Sequence, residues 1–284
     1  MNGRRQAALS VEYQGRTYQV IDAHIHAFPD KIAEGAVARL QGISGITPCT
    51  NGTVGNTLEK LAATGVDRGF FLNIATSPRQ QTSVNNSAAE LNRVYPERVS
   101  AFGSVHFRAE DSLVELERIK ALGLPGIKLH PDYQGFSIDD PELDPIYGKC
   151  AELKLPIVFH AGWDFYSPDR IHASPKAARR VLDRFPGLTI VLAHFGGMKQ
   201  WDEVERWLIG RDVWLDTAMC ATYGDPVQMR RMILSHDPQR ILLGSDCPWE
   251  DPASSIRFIL SLGLSESLTR SILAQNAQRF LGLA

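Results

Sequence analysis

Apolar and polar positions along the chain fall into two alternating patterns: short apolar runs, and longer stretches with helical spacing. The runs Ile157-Val158-Phe159 and Ile190-Val191-Leu192 are continuously apolar, which is typical of parallel strands covered on both faces. A first strand-like run covers residues 18–21. The same pattern predicts seven further strands, at residues 69–75, 99–106, 126–130, 156–160, 188–194, 213–217 and 240–246.

Stretches with apolar residues at helical spacing separate and follow these strands. They predict helices at residues 58–64, 88–95, 113–122, 143–153, 177–185, 203–209, 227–234, 254–262 and 267–281. Eight successive β/α units predict an α/β fold, a (β/α)₈ TIM barrel forming a single domain over residues 1–284. The alternative is a doubly wound open sheet, which normally carries a Gly-rich turn after its first strand. This chain has two histidines there instead.

One segment interrupts the alternation. Residues 41–56 are rich in Gly, Thr and Asn and are too long for an ordinary βα loop. Loops of this kind on catalytic faces often act as lids. Two alternatives therefore stay open for residues 41–56, a lid insertion and a surface insertion without function.

Composition and charge argue against several classes of function. A chain of 284 residues accommodates one barrel, which commonly takes about 250 residues. A formal net charge of −2 argues against nucleic acid or anionic membrane as a partner. No apolar run reaches the roughly 18 residues that cross a bilayer, and residues 1–10 lack the apolar core of a secretion signal. The four cysteines include no C-x-x-C pair, so we expect a reducing compartment and a cytoplasmic location.

The most informative residues are His24 and His26, which follow the first predicted strand. Strand side chains alternate between faces with a period of two, so both imidazoles project to the same side. Two neutral imidazoles at one point form half of a site for a first-row metal. A single such pair is weak evidence for a metal, because polar residues also occur in pairs on strand faces.

Further candidate ligands stand at the ends of other predicted strands. His160 ends the fifth strand, His194 the sixth and Asp246 the eighth. In a parallel barrel these ends meet on one face, where catalytic residues collect. The set His24, His26, His160 and Asp246 suits one Zn²⁺ ion with a position left for water, although Mn²⁺, Co²⁺ and Fe²⁺ accept the same donors.

The motifs resemble those of the amidohydrolase superfamily, and most closely its branch of aminocarboxymuconate-semialdehyde decarboxylase-like proteins and lactone hydrolases. The resemblance rests on five pieces that span nearly the whole chain in order: Asp22-Ala-His24-Ile-His26, His160-Ala-Gly162, His194-Phe-Gly-Gly197, Gly244-Ser-Asp246-Cys-Pro248-Trp249, and the terminal stretch Leu273-Ala-Gln-Asn276-Ala-Gln-Arg-Phe-Leu281-Gly282.

This resemblance implies roles for individual residues. His24, His26, His160 and Asp246 would bind the metal, and Asp246 would also take a proton from metal-bound water. His194 would polarise the substrate or stabilise an oxygen that becomes negative. Asp22 is considered apart from the resemblance: it shares the parity of His24 but lies one layer deeper, so we expect a structural hydrogen-bonding role for it.

Candidates for substrate contact form a further group. Lys128 and His130 share a parity on the fourth strand and could both face the barrel interior. Lys128 is open to three interpretations: a cation near the substrate, an interior ion pair, or a bridge between two metals. The other candidates are two aromatic residues next to ligand motifs and two cations after strands, Trp163, Trp249, Arg108 and Arg170.

The residues leave the reaction open. Our main expectation is a metal-dependent hydrolase that opens a lactone, ester or amide bond of a small acidic or cyclic metabolite, using metal-activated water. The first alternative is a non-oxidative decarboxylase of a carboxylated, unsaturated or aromatic substrate. The second is a barrel that binds metal and ligand without turnover. The expected partner is a small molecule, and a homo-oligomer is open because exposed barrel helices often pair.

Overall fold

A computed structural model describes residues 9–283 of the chain. Its first two strands, β1 (Ser10–Tyr13) and β2 (Arg16–Gln19), form an antiparallel hairpin. Eight parallel strands follow, β3 (Ile21–Ile25), β4 (Arg68–Leu72), β5 (Val99–Phe102), β6 (Ile127–Leu129), β7 (Ile157–Phe159), β8 (Ile190–Leu192), β9 (Trp214–Asp216) and β10 (Ile241–Leu242).

These eight strands form two arcs that join into a ring. One arc has the order β3-β4-β5, and the other has the order β6-β7-β8-β9-β10. A parallel bridge between Gly103 and Ile127 links β5 to β6. A second bridge, between Ile25 and Cys247, links the end of β3 to the residues after β10. The predicted α/β barrel is therefore confirmed, and its strands end together on one face.

Helices cover the outside of the ring. The structure has α1 (Asp30–Ser44), α2 (Val54–Ala63), α3 (Gln81–Val94), α4 (Ser112–Ala121), α5 (Pro131–Gln134), α6 (Asp144–Leu153), α7 (Pro175–Arg184), α8 (Trp201–Trp207), α9 (Cys220–Tyr223), α10 (Pro226–Ser235), α11 (Pro252–Ser261), α12 (Glu266–Arg270) and α13 (Asn276–Leu281). A π-helical stretch, Ser271–Gln275, joins the last two. Short 3₁₀ turns occupy Pro78–Gln80, Pro141–Leu143 and His194–Gly196.

The sequence pattern did not predict the N-terminal hairpin or helices α1, α5 and α9. The run at residues 18–21 is not the first barrel strand, because residues up to Gln19 belong to the hairpin and β3 begins at Ile21. Helix α1 was not predicted, since it buries only Ala33 and Val37 and so lacks a full apolar stripe.

The barrel interior away from the strand ends is filled by apolar side chains. Phe70, Phe102 and Phe280 stack there with ring centroids 5.3 to 6.4 Å apart, and Trp214 meets Phe280 edge to face. Phe280 comes from α13, so the last helix closes this part of the barrel. This part of the interior is a packed core, so the candidate reactive side chains lie at the carboxyl ends of the strands.

The segment predicted as a lid, residues 41–56, contains the end of α1, a connecting stretch and the start of α2. Hydrogen bonds attach that stretch to the barrel, from Cys49 N to Pro248 O at 2.8 Å and from Phe28 N to Gly52 O at 2.8 Å. A lid role for this segment stays a prediction. No helix within residues 9–283 is long and apolar enough to cross a membrane. Residues 1–8, which belong to the stretch where we expected no secretion signal, lie outside the described part.

Candidate metal centre and active site

His24, His26 and Asp246 converge at the carboxyl ends of the first and last barrel strands. The two imidazole Nε2 atoms lie 3.2 Å apart. Asp246 Oδ1 is 3.3 Å from His24 Nε2 and 3.2 Å from His26 Nε2. One donor atom from each residue lies within 4.8 Å of the others, a spacing that can hold a metal ion.

Hydrogen bonds determine how the two imidazoles face this point. His24 Nδ1 lies 2.8 Å from Asp216 Oδ2, and His26 Nδ1 lies 3.0 Å from the Leu72 carbonyl. Both Nδ1 atoms therefore donate, which leaves a lone pair on each Nε2. Burial and the nearby Lys128 ammonium lower the pKa of His24 well below its usual value, so this ring is neutral. Two lone pairs and a carboxylate facing one another attract a cation.

The backbone around Asp246 is shaped by its neighbours. Asp246 has a left-handed φ of 76°, and its N–H donates to the His24 carbonyl at 2.9 Å. Ser245, the residue before Asp246, is held by Asp22. The Asp22 carboxylate accepts hydrogen bonds from Ser245 N at 2.9 Å and from Ser245 Oγ at 2.5 Å. Gly244 lies against His24, where an added Cβ would stand 3.0 Å from the His24 Cβ. Asp22 thus joins the two motifs through hydrogen bonds, in line with the structural role we expected for it.

A second group of donors, His130, His160 and Asp164, lies at the ends of β6 and β7. Asp164 Oδ2 is 3.5 Å from His160 Nε2 and 3.8 Å from His130 Nε2. The structure therefore places His160 in this group, whereas we expected it beside His24, His26 and Asp246. Its Nε2 is buried without a hydrogen-bond partner in the described chain, as is Asp132 Oδ2. Burial raises the pKa of Asp164 to about 7.

His194 connects the second group to the first. Its Nε2 lies 3.0 Å from His160 Nδ1, and its Nδ1 lies 3.2 Å from the Ala218 carbonyl. Its ring centroid is 5.4 Å from that of His24. The residue adopts a left-handed φ of 57°, which is uncommon outside glycine and often occurs at functional sites. Burial lowers the pKa of His194 to about 4, against the opposing effect of Asp246.

Two carboxylates of this region, Asp216 and Asp164, were not among the predicted site residues. Asp216 ends β9 and accepts hydrogen bonds from the backbone N–H groups of His194 and Ala218, both at 3.0 Å, as well as from His24. The strand-end rule that found Asp246 would also have found Asp216, since the seventh predicted strand contained it. Asp164 lies in a loop without regular spacing, so no comparable signal marks it.

Lys128 lies inside the barrel with no exposed surface. Its Nζ is 3.4 Å from His24 Nε2. Burial lowers the pKa of Lys128 to about 8, while Asp216 and Asp246 act in the opposite direction. A positive charge is therefore available next to the donors, on the interior side that the parity of β6 predicted.

The remaining predicted substrate contacts are distributed differently. His130 stacks on His160 with centroids 4.3 Å apart, so it belongs to the second group. Trp163 is half-buried, and its indole N–H donates to the Pro168 carbonyl at 3.1 Å. Trp249 packs against the hydrophobic core.

The two predicted arginines, Arg108 and Arg170, are exposed. Arg108 lies over the Phe107 ring, and Arg170 donates a hydrogen bond to Ser137 Oγ at 3.2 Å. Within residues 9–283, neither arginine side chain makes a hydrogen bond or ion pair with either donor group.

Comparison with known proteins identifies relatives. A family model described as amidohydrolase matches residues 21–283. A 2-amino-3-carboxymuconate-6-semialdehyde decarboxylase from Dictyostelium discoideum is 27% identical over 244 residues, which cover 70% of this chain and 66% of that protein, just under two thirds of its length. The decarboxylase orsB from Emericella nidulans is 25% identical over 238 residues, covering 68% of this chain and 71% of that protein.

Solved structures share the fold. An uncharacterized TIM-barrel protein from Bordetella bronchiseptica superposes with a TM-score of 0.75 at 20% identity, covering 93% of this chain and 99% of the other. A 5-carboxyvanillate decarboxylase from Novosphingobium aromaticivorans, complexed with manganese and 4-hydroxy-3-methoxy-5-nitrobenzoic acid, gives a TM-score of 0.70 at 16% identity, covering 94% and 96%. At these identities the likeness concerns the barrel alone.

One expectation from the sequence is overturned by these comparisons. We expected hydrolysis of a lactone, ester or amide bond, but both curated relatives are named decarboxylases. The main expectation is therefore wrong. It failed because a metal site of this kind can serve either reaction, and the ligand motifs carry no information about which bond breaks.

Proposed function

Because the chain belongs to the amidohydrolase family, we propose that it is a metal-dependent, non-oxidative decarboxylase of a small unsaturated or aromatic carboxylic acid. The observation that carries this proposal is the convergence of His24, His26 and Asp246 at one point, with His194 beside them. The names of the two curated relatives favour removal of CO₂ as the reaction.

A divalent cation is the cofactor that the family and the two donor groups support. His24, His26 and Asp246 would hold it, and the facing lone pairs of the two imidazoles fit such an ion. His160 stays a predicted fourth ligand, since its buried Nε2 has no hydrogen-bond partner among residues 9–283. Zn²⁺ and Mn²⁺ are both candidates, the second because the 5-carboxyvanillate decarboxylase binds manganese. When bound, the ion would supply a positive charge that orients the substrate through its oxygen atoms.

Residues of the chain would then deliver the proton that replaces the departing CO₂. Breaking the bond between the carboxylate and its carbon leaves an electron pair on that carbon, which must receive a proton as CO₂ departs. Asp246 borders both imidazoles, so we assign it the transfer of this proton. We assign His194 a position beside the substrate, because its ring lies between the two donor groups, with its centroid 5.4 Å from that of His24 and its Nε2 3.0 Å from His160 Nδ1.

Lys128 would contribute charge to substrate binding. Its ammonium lies 3.4 Å from His24 Nε2 in a fully buried position. A buried cation acts through a low dielectric and therefore attracts a carboxylate more strongly than an exposed one does. We propose this role for Lys128 in preference to the exposed Arg108 and Arg170, which have contacts elsewhere.

Release of CO₂ tests the proposal directly. The purified chain, loaded separately with Zn²⁺ and Mn²⁺, is incubated with carboxyl-labelled hydroxybenzoates and a carboxymuconate semialdehyde, and labelled CO₂ is measured. We expect turnover of at least one substrate, with the product lacking only its carboxyl group. Asp246→Asn should lower the rate about 10²–10⁴-fold, the usual contribution of a positioned acid or base.

A matched substitution separates this effect from general damage. Asp183→Asn makes the same chemical change in an exposed ion pair on α7 and should leave the rate unchanged. The proposal fails if the substrates yield ring-opened acids that incorporate oxygen from water, with no CO₂. The role assigned to Asp246 fails if Asp246→Asn retains full activity.

A further inference from the structure

Two cysteines that lie 198 residues apart in the chain meet beside the metal-ligand motif. The Sγ atoms of Cys49 and Cys247 are 3.7 Å apart. Cys247 directly follows Asp246, and Cys49 belongs to the stretch between α1 and α2. The sequence showed only scattered thiols, so this pair arises from the closure of the barrel.

The surroundings hold the two thiols in this position. The backbone N–H of Cys49 donates to the Pro248 carbonyl at 2.8 Å, and the Cys247 carbonyl accepts from His26 N at 2.7 Å. The two chain segments are thus already docked. A disulfide has an S–S bond of about 2.05 Å. From their separation of 3.7 Å, the two sulfur atoms therefore need to approach each other by less than about 2 Å to form one.

The two thiols differ in access. Cys247 is completely buried, whereas Cys49 is partly exposed. The hydrogen bond from Cys247 lowers the pKa of the Cys49 thiol, which raises its fraction of thiolate. Cys49 is therefore the thiol that a soluble oxidant would reach first, and Cys247 is the neighbour that would resolve it.

We propose that Cys49 and Cys247 form a reversible disulfide when the protein meets a peroxide. The Cys49 thiolate attacks one peroxide oxygen, giving a sulfenic acid and releasing hydroxide. The Cys247 sulfur then attacks the sulfenic sulfur, forming the S–S bond, and its proton leaves with the departing hydroxide as water. In total, two thiols lose two electrons and hydrogen peroxide becomes two molecules of water.

This disulfide would join the stretch after α1 covalently to the residue next to Asp246. The same stretch carries Gly52, whose carbonyl accepts from Phe28 N at 2.8 Å, so it already lies along the end of β3. Oxidation would therefore restrict any opening of residues 46–53 away from the strand ends. This consequence does not depend on which reaction the site performs.

Thiol mapping tests the proposal without any measurement of turnover. The full-length protein is reduced, desalted and treated with an equimolar amount of hydrogen peroxide, then quenched in acid, denatured, alkylated and digested. We expect a peptide pair linked through Cys49 and Cys247, about 2 Da lighter than the two free peptides together because two thiol hydrogens are lost. Dithiothreitol should reverse it.

Two further cysteines provide controls within the same molecule. Cys150 and Cys220 are buried free thiols and should remain alkylatable after the same treatment. Cys150→Ser should keep the linked pair, and Cys49→Ser should abolish it. The proposal is overturned if the wild-type protein gives no linked pair, if Cys49 proceeds to a sulfinic acid while Cys247 stays free, or if Cys150 and Cys220 are oxidised to the same extent.

Discussion

At the scale of single residues, the orientation of His24 depends on a carboxylate that the ligand motif does not contain. Asp216 accepts the His24 Nδ1 proton at 2.8 Å and also accepts from the His194 N–H at 3.0 Å. It is fully buried, and burial raises the pKa of its carboxyl group. One side chain on β9 therefore positions two histidines that lie on β3 and after β8.

The effect of removing this carboxylate can be predicted. Asp216→Asn keeps the size of the side chain but weakens the hydrogen bond that holds the His24 Nε2 lone pair toward the site. We expect metal affinity to fall about 10–100-fold, the usual cost of losing such a partner. Competition with a chromogenic chelator measures it. Asp183→Asn serves as the control, and unchanged affinity in Asp216→Asn would contradict the positioning role.

Gly162 shows a second residue-scale constraint, imposed by close packing of two loops. It has a φ of +90°, and an added Cβ would stand 2.0 Å from the Met198 backbone nitrogen. Its own N–H donates to the Ala173 carbonyl at 2.8 Å. The glycine two residues after His160 thus allows the loops that follow β7 and β8 to approach each other.

We therefore expect Gly162→Ala to lower the free energy of unfolding by more than about 1 kcal/mol, because alanine fits neither the space nor the φ. Urea unfolding followed by circular dichroism measures the change. Gly148→Ala is the matched control: Gly148 lies in α6 with no atom near an added Cβ, and alanine there should stabilise the helix by about 0.5–1 kcal/mol. Equal stability of the two variants would contradict the packing argument.

At the scale of elements, β3 does not alternate regularly along its whole length. Its pairing with β4 shifts between Asp22 and Ile25. Ile21 and Ala23 pack in the interior cluster with Phe70, whereas Ile25 packs in the surrounding layer. The irregularity changes which positions face inward just before His26. A period of two correctly predicted that His24 and His26 lie together, but it could not predict this shift.

The interior cluster that β3 shares with its neighbours should contribute strongly to stability. Phe102 is fully buried between Phe70 and Phe280. Phe102→Ala removes a ring from a close-packed region, and we expect it to cost about 3–5 kcal/mol in the free energy of unfolding. Chemical denaturation measures this loss. Val114→Ala on the exposed face of α4 should change stability little, and a comparable loss there would argue against a specific role for the cluster.

At the scale of the whole molecule, closure of the ring creates the site. The Ile25–Cys247 bridge and the bond from Ala23 N to Leu243 O at 2.7 Å join the first strand to the last. His24 and Asp246, separated by most of the chain, become neighbours only through this closure. A cation bound between them would therefore bind the folded chain and not the unfolded one.

Metal removal should accordingly destabilise the protein. A ligand at 100 times its dissociation constant stabilises the folded state by about 2.7 kcal/mol, so we expect the chelated protein to melt at a lower temperature than the metal-loaded one. Scanning calorimetry of both forms measures the shift. His26→Ala should reduce the shift strongly, and a shift of the same size in His26→Ala would place the bound ion elsewhere.

The sequence by itself determined the barrel and the positions where its chemistry lies. Apolar runs and helical spacing are local properties, and parallel strands necessarily end on one face, so the histidines at 24, 26, 160 and 194 and Asp246 could be placed on that face from spacing alone. The amidohydrolase family was also recognisable, because its motifs lie in order along the chain.

Only the tertiary structure decided which of these side chains touch. It put His160 with His130 and Asp164, brought Asp216 under His24, and paired Cys49 with Cys247. Side-chain rotamers, the shift in β3 and the path of the loops fix these contacts, and each depends on neighbours that are remote in sequence. Local patterns specify which residues reach the strand ends, whereas the contacts among them follow from packing in three dimensions.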